Sequence, residues 1–312
     1  MIRVAVIGGG QNCEHEVSLA SAASASAAFD RSRFQVVELT IGVDGSWSHG
    51  AELLTLGTAI DLLQTCDAVL PLVHGPRGED GTLAALCELA GVPCVGSGLG
   101  AGALAMDKWV TKLIAQAHGI GVADGVLLTA ATAPSYGWDG VVVVKPVAAG
   151  SSQGVSLVRE ERDLAAALDA ALALDDRVLV EEVVVGREID LAVLGRPDGS
   201  RVVAPALEIV VDGFFDFDSK YGGSADFRIP AAIDAAELKG LEDAAVTMYD
   251  ALGCAGVARV DFFLTESGPV LNEVNTIPGF TEQSQAPKMF AAAGTPYPEL
   301  LELLVRDALA GD

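Results

Sequence analysis

The chain has 312 residues, enough for about two domains or three small ones, and its 51% hydrophobic and 20% charged content excludes a disordered chain. Its net charge of −24 would repel a nucleic-acid backbone, and no apolar run approaches the roughly 20 residues needed to cross a bilayer. Five cysteines without a CxxC pair argue against disulfides and against a zinc site. Because no secretory leader is recognisable, we expect a cytoplasmic protein that binds neither nucleic acid nor membrane.

The first third of the chain alternates short apolar runs with helical patterns. Such alternation predicts a parallel sheet that is covered on both faces, and we place this first domain at residues 1–97. Its strands are expected at residues 3–7, 34–41 and 67–73, and its helices at 14–29 and 80–90.

The rest of the chain predicts two α+β units, at residues 98–182 and 183–312. The first has expected helices at 101–117 and 160–173, strands at 126–128, 140–145 and 178–182, and a glycine-serine loop at 149–154. The second has expected strands at 190–194, 202–211, 256–264 and 270–274, a polar aromatic-rich segment at 214–227, and helices at 235–252 and at the end of the chain.

Three glycines, Gly8 to Gly10, stand between the first strand and the first helix, as in a dinucleotide-binding turn. The third glycine of that pattern is replaced by Cys13, and the next strand does not end in the acidic residue that would hold a ribose. The pattern therefore argues against a nicotinamide cofactor. A glycine turn at a helix N-terminus still presents backbone N–H groups to an anion.

Lys145 ends an apolar run and is followed by the loop at residues 149–154, which contains Ser151 and Ser152. A lysine at the end of a buried strand, next to a loop with free N–H groups and hydroxyls, can grip a polyphosphate. A structural lysine and a simple hairpin loop explain the same residues equally well.

Two neighbouring strands near the C-terminus carry an unusual polar set. Alternation places Arg259 and Asp261 on one face of the first strand, and Glu273 and Asn275 on one face of the second. Hard oxygen donors of this kind suit Mg²⁺, and an arginine beside them can stabilise a transferring phosphoryl group. A metal-free salt bridge between the strands explains Arg259 but, we expect, leaves the three oxygen donors without cationic partners.

In these motifs the sequence resembles the D-alanine–D-alanine ligases of the ATP-grasp superfamily. The resemblance implies an ATP-grasp fold with a Rossmann-like N-terminal domain, hence a mixed α/β and α+β class. The matching motifs, in chain order, are Glu14-His15-Glu16-Val17-Ser18, His74-Gly75-Pro76-Arg77-Gly78-Glu79-Asp80-Gly81, Ala105-Met106-Asp107-Lys108, Lys145-Pro146, Gly150-Ser151-Ser152, Phe215-Asp216-Phe217-Asp218-Ser219-Lys220-Tyr221, Arg259-Val260-Asp261 and Asn272-Glu273-Val274-Asn275-Thr276-Ile277-Pro278-Gly279-Phe280-Thr281.

Enzymes of this family phosphorylate the carboxylate of one D-alanine with ATP, and the amine of a second D-alanine then displaces phosphate. The resemblance implies ATP and two Mg²⁺ ions, replaceable by Mn²⁺, as cofactors, amino acids as small-molecule partners, and a homodimer. It implies Asp261, Glu273 and Asn275 as metal ligands; Lys108, Lys145, Ser151, Ser152, Glu181, Val184, Glu188 and Lys220 at ATP; and Glu14, His74, Arg259, Gly279 and Ser284 at the amino acids. Among these, Glu14, Ser151, Arg259 and Ser284, with Tyr221 on a lid shared with Lys220, form the catalytic set.

Several residues depart from the usual family pattern, and they cluster around the amino-acid pocket and the phosphate loop. ATP chemistry is therefore predicted more firmly than the identity of the substrates. The departures leave open a specialised paralogue that joins other amino acids in a small-molecule pathway; the intact lysines and metal ligands argue against a non-catalytic nucleotide-binding protein. The departing residues are Asn12, Cys13, Cys94, Ala149, Glu282 and Gln285.

Overall fold

The computed structural model of the chain describes residues 1–210 and 226–311, and its strands form three sheets. The predicted lid residues Lys220 and Tyr221 lie outside these ranges.

The first sheet has the strand order β4-β3-β2-β1-β5. Its strands are β1 (Ile2–Gly9), β2 (Phe34–Ile41), β3 (Trp47–His49), β4 (Glu52–Leu54) and β5 (Ala68–Pro71). A parallel sheet was predicted, and β1 pairs in parallel with β2 and β5, whereas the antiparallel strands β3 and β4 were missed. Three residues are too few for a period-two pattern to stand out.

Helices cover both faces of this sheet, as predicted. They are α1 (His15–Ala28), α2 (Leu56–Leu63) and α3 (Thr82–Ala90). Val4 and Val6 of β1 share a core with residues of α1, whereas Ala5 and Ile7 pack with residues of α2 and α3. The glycine turn after β1 needs its glycines: Gly9 has φ +88°, and a Cβ there would lie 2.2 Å from the carbonyl oxygen of Ile41.

A pair of helices follows, where one helix at 101–117 was predicted. They are α4 (Leu99–Met106) and α5 (Lys108–Ala117). The chain is extended at Asp107, whose Oδ1 accepts a 2.9 Å hydrogen bond from the N–H of Val110 and so caps a new helix. The break places Lys108 in the first turn of α5.

The second sheet is antiparallel, in the order β7-β10-β8-β9, and α6 (Glu161–Leu172) packs against it. The intervening strand β6 (Gly121–Val122) instead pairs with the third sheet. The four strands are β7 (Gly125–Thr129), β8 (Val142–Pro146), β9 (Ser156–Val158) and β10 (Arg177–Glu182).

The third sheet runs β14-β13-β11-β15-β16-β6, with β12 paired to β11. The strand predicted at 202–211 is divided into β12 and β13. The strands are β11 (Arg187–Gly195), β12 (Arg201–Val203), β13 (Leu207–Val210), β14 (Asp226–Arg228), β15 (Val257–Thr265) and β16 (Gly268–Asn275).

Helix α7 (Ala235–Leu252) lies where it was predicted and begins with a capping box between Asp234 and Glu237. The chain ends in two helices, α8 (Gln285–Ala292) and α9 (Tyr297–Ala310), where one was expected. Their buried residues share a core with Val4 and Val6, and the Tyr297 hydroxyl donates a 2.5 Å hydrogen bond to the Phe280 carbonyl. This packing holds the loop between β16 and α8 against the first sheet.

Candidate active site

Two cavities meet near the middle of the molecule. One has a volume of about 500 Å³ and the other of about 390 Å³, and Glu188, Asn272 and Glu273 line both. The larger contains Glu14, His74, Ser151, Arg259, Gly279 and Ser284, and the smaller Lys108, Lys145, Ser152, Glu181 and Val184. The structure therefore gathers the expected amino-acid residues and the expected nucleotide residues into adjoining spaces.

The polar set on β15 and β16 lies on one sheet face. Arg259 pairs with Asn275 and Asp261 pairs with Glu273 in the antiparallel register, and all four line the larger cavity. Strand alternation predicted this arrangement. Residues directly opposite each other on neighbouring antiparallel strands project to the same side.

The carboxylates of this set do have cationic partners, so the expectation that they lack them is wrong. Arg259 makes two 2.7 Å hydrogen bonds to Asp261, and Lys108 Nζ lies 3.3 Å from Glu273 Oε2. Asn275 donates to Asp261 at 3.0 Å. Lys108 comes from α5, and this contact across sheets could not be inferred from the two strands alone.

Arg259 lies among acidic groups. Its Nε is 3.6 Å from Asp190 Oδ2, in addition to its pair with Asp261. Burial alone would lower the pKa of Arg259, but the charges of Asp261, Asp190 and Glu273 outweigh it and raise the pKa. The guanidinium is a permanent cation at this junction.

The donor chemistry of Asp261, Glu273 and Asn275 fits Mg²⁺: two carboxylates and an amide oxygen, all hard oxygen donors on facing positions. Among the residues that the structure describes, no group of three or more His, Cys, Asp and Glu side chains is arranged to hold a metal. A set of this size suits a cation that takes its remaining ligands from substrate phosphates and water.

Lysines surround one carboxylate in the smaller cavity. Glu181 on β10 forms ion pairs with Lys145 on β8, at 2.7 Å, and with Lys112 on α5. Burial would raise the pKa of Glu181, but the two lysines lower it overall. The cluster is therefore ionised and carries net positive charge.

Glu14 and the glycine-serine loop form one wall of the larger cavity. Ser151 donates a hydrogen bond to Glu14 Oε1, whereas Oε2 is buried and has no hydrogen-bond partner within the described ranges. A Cβ at Gly150 would lie 2.1 Å from this oxygen and one at Gly75 would lie 2.5 Å from it. The backbone thus approaches the carboxylate where a side chain would collide with it, and Oε2 is placed to accept from a substrate cation.

His74 lines the larger cavity, but protein groups engage both of its ring nitrogens. Nδ1 lies 2.7 Å from the carbonyl oxygen of Ile277, and Nε2 lies 2.8 Å from Ser21 Oγ. The first contact makes Nδ1 the donor, so Nε2 accepts from Ser21. Burial lowers the pKa of His74 despite the nearby charge of Glu14, so the ring is neutral. It ties the loop after β16 to α1.

The structure brings Gly279 and Ser284 together in that loop. A Cβ at Gly279 would lie 3.3 Å from Ser284 Oγ, which accepts a 3.0 Å hydrogen bond from the N–H of Thr281. Glu282 and Gln285, two of the residues that depart from the family pattern, lie close to Ser284 in the sequence. Glu282 is exposed, whereas Gln285 lines the larger cavity.

Two further departures have structural explanations. Asn12 donates to the carbonyls of His74 and Pro76 and accepts from the N–H of Glu14, so it fixes the start of α1 to the loop after β5. Ala149 uses its carbonyl oxygen, which accepts from Lys108 Nζ at 2.8 Å, rather than its side chain.

The sequence did not reveal the roles of several polar residues in this region, most of them buried. Lys112 stands one helical turn after Lys108, the spacing that places two side chains on one helix face, and this signal was available. The roles of the other missed residues depend on contacts between segments that are distant in sequence, and no local sequence pattern indicates such contacts. The missed residues are Asn12, Ser21, Glu79, Lys112 and Asp190.

Glu79 is a buried residue in the wall of the larger cavity, and it accepts hydrogen bonds from the N–H groups of Gly75 and Ile277. Burial, and then the charges of Glu14 and Glu273, raise its pKa from the ordinary 4.5 to about 7. Between pH 4.5 and about pH 7, Glu79 keeps its proton in the folded protein but loses it in the unfolded chain. The contribution of Glu79 to stability therefore falls as the pH rises through this window.

We expect Glu79→Gln to remove this dependence. Relative to the wild type, the variant should gain up to about 3 kcal/mol in unfolding free energy between pH 5 and pH 8, because glutamine carries no charge at either pH. Urea unfolding at four pH values measures the change, with the exposed Glu282→Gln as control. Parallel pH profiles for wild type and Glu79→Gln would contradict the expectation.

No helix in residues 1–210 or 226–311 is long and apolar enough to span a membrane.

Comparison with known proteins gives consistent matches. The family model for the D-ala D-ala ligase C-terminus matches residues 138–306, and the model for the N-terminus matches residues 3–60 and 51–97. A D-alanine--D-alanine ligase from Mycolicibacterium vanbaalenii is 42% identical, with 99% of this chain and 97% of that protein covered.

Solved structures agree. The VanG D-Ala:D-Ser ligase from Enterococcus faecalis has a TM-score of 0.84 at 34% identity, covering 98% of this chain and 99% of that one. The Bacillus anthracis D-alanine--D-alanine ligase complexed with ATP has a TM-score of 0.81 at 27% identity, covering 99% and 98%. These matches confirm the predicted mixed class with an ATP-grasp fold. The chain belongs to the D-alanine–D-alanine ligase family.

Proposed function

We propose that this protein joins two D-alanine molecules at the expense of ATP and so makes D-alanyl-D-alanine for peptidoglycan. The observation that carries this proposal is the junction of the two cavities at Glu188, Asn272 and Glu273. It supports a reaction in which a nucleotide phosphate in one space meets an amino-acid carboxylate in the other.

The nucleotide occupies the smaller cavity. Lys108 and Lys145 hold its phosphates, with Ser151 and Ser152 in the adjoining loop. Both serines have positive φ, 50° and 55°, an uncommon conformation for residues other than glycine, and the loop is anchored to Lys108 through Ala149. Glu181, Val184 and Glu188 line the adenosine side.

Asp261, Glu273 and Asn275 would hold two Mg²⁺ ions, or Mn²⁺ in their place. When bound, these cations neutralise phosphate charge during transfer. Arg259 has a separate role. Its guanidinium is a permanent part of the protein, unlike a bound metal ion, and it can stabilise negative charge on the substrates.

The amino acids occupy the larger cavity. Glu14 Oε2 accepts from the ammonium of the first D-alanine, whose carboxylate oxygen takes the γ-phosphoryl group as ADP leaves. The second D-alanine binds near Arg259, the Gly279 backbone and Ser284. Once its ammonium has lost a proton, its nitrogen attacks the acyl carbon and phosphate departs. Water must be excluded because it competes for the acyl phosphate.

We keep three finer expectations as proposals: a cytoplasmic location, a homodimer, and division into domains at residues 97 and 182. The family supports the first two. The division of the strands into three sheets supports the last, with β6 of the middle unit paired to the third sheet.

The acceptor substrate tests the proposal directly. We expect kcat/KM for D-alanine as acceptor to exceed the value for D-serine by roughly tenfold or more, and D-lactate to be poorer still near neutral pH. A hydroxyl group needs a hydrogen-bonding partner when it is buried, so D-serine gains only if the pocket provides one. Mass spectrometry of the products with each acceptor measures the preference.

A specific observation favours D-serine as the second candidate acceptor: Gln285 brings an amide to the cavity, and VanG, a D-Ala:D-Ser ligase, is among the similar structures. The test compares Gln285→Ala with the exposed control Glu282→Ala. If the wild type prefers D-serine, and if Gln285→Ala loses this preference while Glu282→Ala keeps it, D-serine replaces D-alanine as the proposed acceptor.

A further inference from the structure

One carboxylate in the smaller cavity is shared between two ammonium groups. Glu181 Oε1 is paired with Lys112 Nζ, and Glu181 Oε2 lies 2.7 Å from Lys145 Nζ. All three side chains are buried, with residue exposures of 4% to 7%. The charges act on one another with little screening by solvent.

Lys112 reaches Glu181 from a different element than Lys145. It lies on α5, one turn after Lys108, and Lys108 pairs with Glu273 of the third sheet. The two lysines on this face of α5 therefore contact different sheets: Lys112 contacts the second sheet and Lys108 the third, and both sheets line the cavity. Lys112 itself lines the cavity.

Lys112 determines the net charge of the cluster that it forms with Glu181 and Lys145. With only Lys145 as its partner, Glu181 would cancel the charge of that lysine. The second lysine leaves the cluster with one net positive charge beside the nucleotide space. Burial lowers the pKa of Lys112, but its proximity to Glu181 opposes this effect.

We propose that Lys112 is a positioning residue for ATP: it holds and neutralises Glu181, so that Lys145 keeps its charge and its orientation for the nucleotide phosphates. This inference rests on the proposed function of the cavity. Lys112 need not touch the nucleotide, because it acts through Glu181.

Calorimetric binding of ATP, without D-alanine, tests the proposal with Lys112→Met, Glu181→Gln and the double variant. Lys112→Met should weaken ATP binding on the order of tenfold to a hundredfold. Adenosine lacks phosphates, so its binding, measured by competition, should weaken less than that of ATP in Lys112→Met. The double variant should recover most of the lost ATP affinity, because the charge that Lys112 neutralises is then absent.

The matched control is Lys239→Met, since Lys239 lies on the exposed face of α7 and pairs with Asp243. Thermal unfolding of each variant shows whether the fold is retained. In turnover assays, Lys112→Met should raise KM for ATP more than it lowers kcat.

Four outcomes would overturn the inference. Wild-type affinity for ATP in Lys112→Met would show that the lysine has no role in binding. Equal losses for ATP and adenosine, or a double variant no better than Lys112→Met, would show that Lys112 does not act by neutralising Glu181. If the wild-type protein bound no ATP, the proposed function would be rejected together with the inference about Lys112. The other outcomes would reject the inference alone.

Discussion

Glu273→Gln is expected to lower the rate of ADP formation by roughly a thousandfold, since a metal ligand contributes several kcal/mol to stabilising a transferring phosphoryl group. The substitution keeps the size of the side chain but removes its charge. It takes from Lys108 the carboxylate that lies 3.3 Å away. The side chain is partly exposed, so we expect the variant to fold.

Coupled detection of ADP in the presence of D-alanine and Mg²⁺ measures the loss. The control is Glu282→Gln, which removes a carboxylate of the same size from an exposed position and should keep near wild-type turnover. Thermal unfolding checks that both variants are folded. Turnover of Glu273→Gln close to the wild-type rate would reject Glu273 as a metal ligand.

Arg259→Met is expected to destabilise the protein by about 3 to 5 kcal/mol, because it leaves buried carboxylates without their cation. Asp261 loses both 2.7 Å hydrogen bonds, and Asp190 loses the guanidinium 3.6 Å away. Ligase activity should fall below detection, since the same cation faces the substrates in our proposal.

Urea unfolding measures this destabilisation. The matched control is Arg306→Met on α9, where an exposed pair with Glu302 should contribute about 1 kcal/mol or less. An Arg259→Met protein as stable as the control would mean that the carboxylates are compensated by other groups.

The sequence predicted the parts of the site that depend on short-range geometry. The shared face of Arg259, Asp261, Glu273 and Asn275 follows from alternation along two strands joined by a two-residue turn. The helix at residues 235–252 was predicted as well, from its local sequence pattern, and the structure shows that it begins at the acidic cap Asp234.

The partners of those residues could not be predicted in the same way. Lys108 meets Glu273, and Lys112 meets Glu181, only because α5 packs beside two sheets whose strands are distant in sequence. The break before α5 was missed as well, because helical periodicity on both sides concealed the capping role of Asp107. Of the five lysines within residues 1–210 and 226–311, three line the smaller cavity.

The close approach of Gly75 and Gly150 to Glu14 affects how substrate preference can be changed. Around Glu14 Oε2 the pocket wall is main chain on two sides, so no side chain there can be shortened to admit a bulkier first amino acid. Elsewhere the larger cavity is lined by replaceable side chains, such as Phe227 and Gln285, which follows the proposed acceptor residue Ser284. Attempts to engineer new dipeptides should therefore start with the second amino acid.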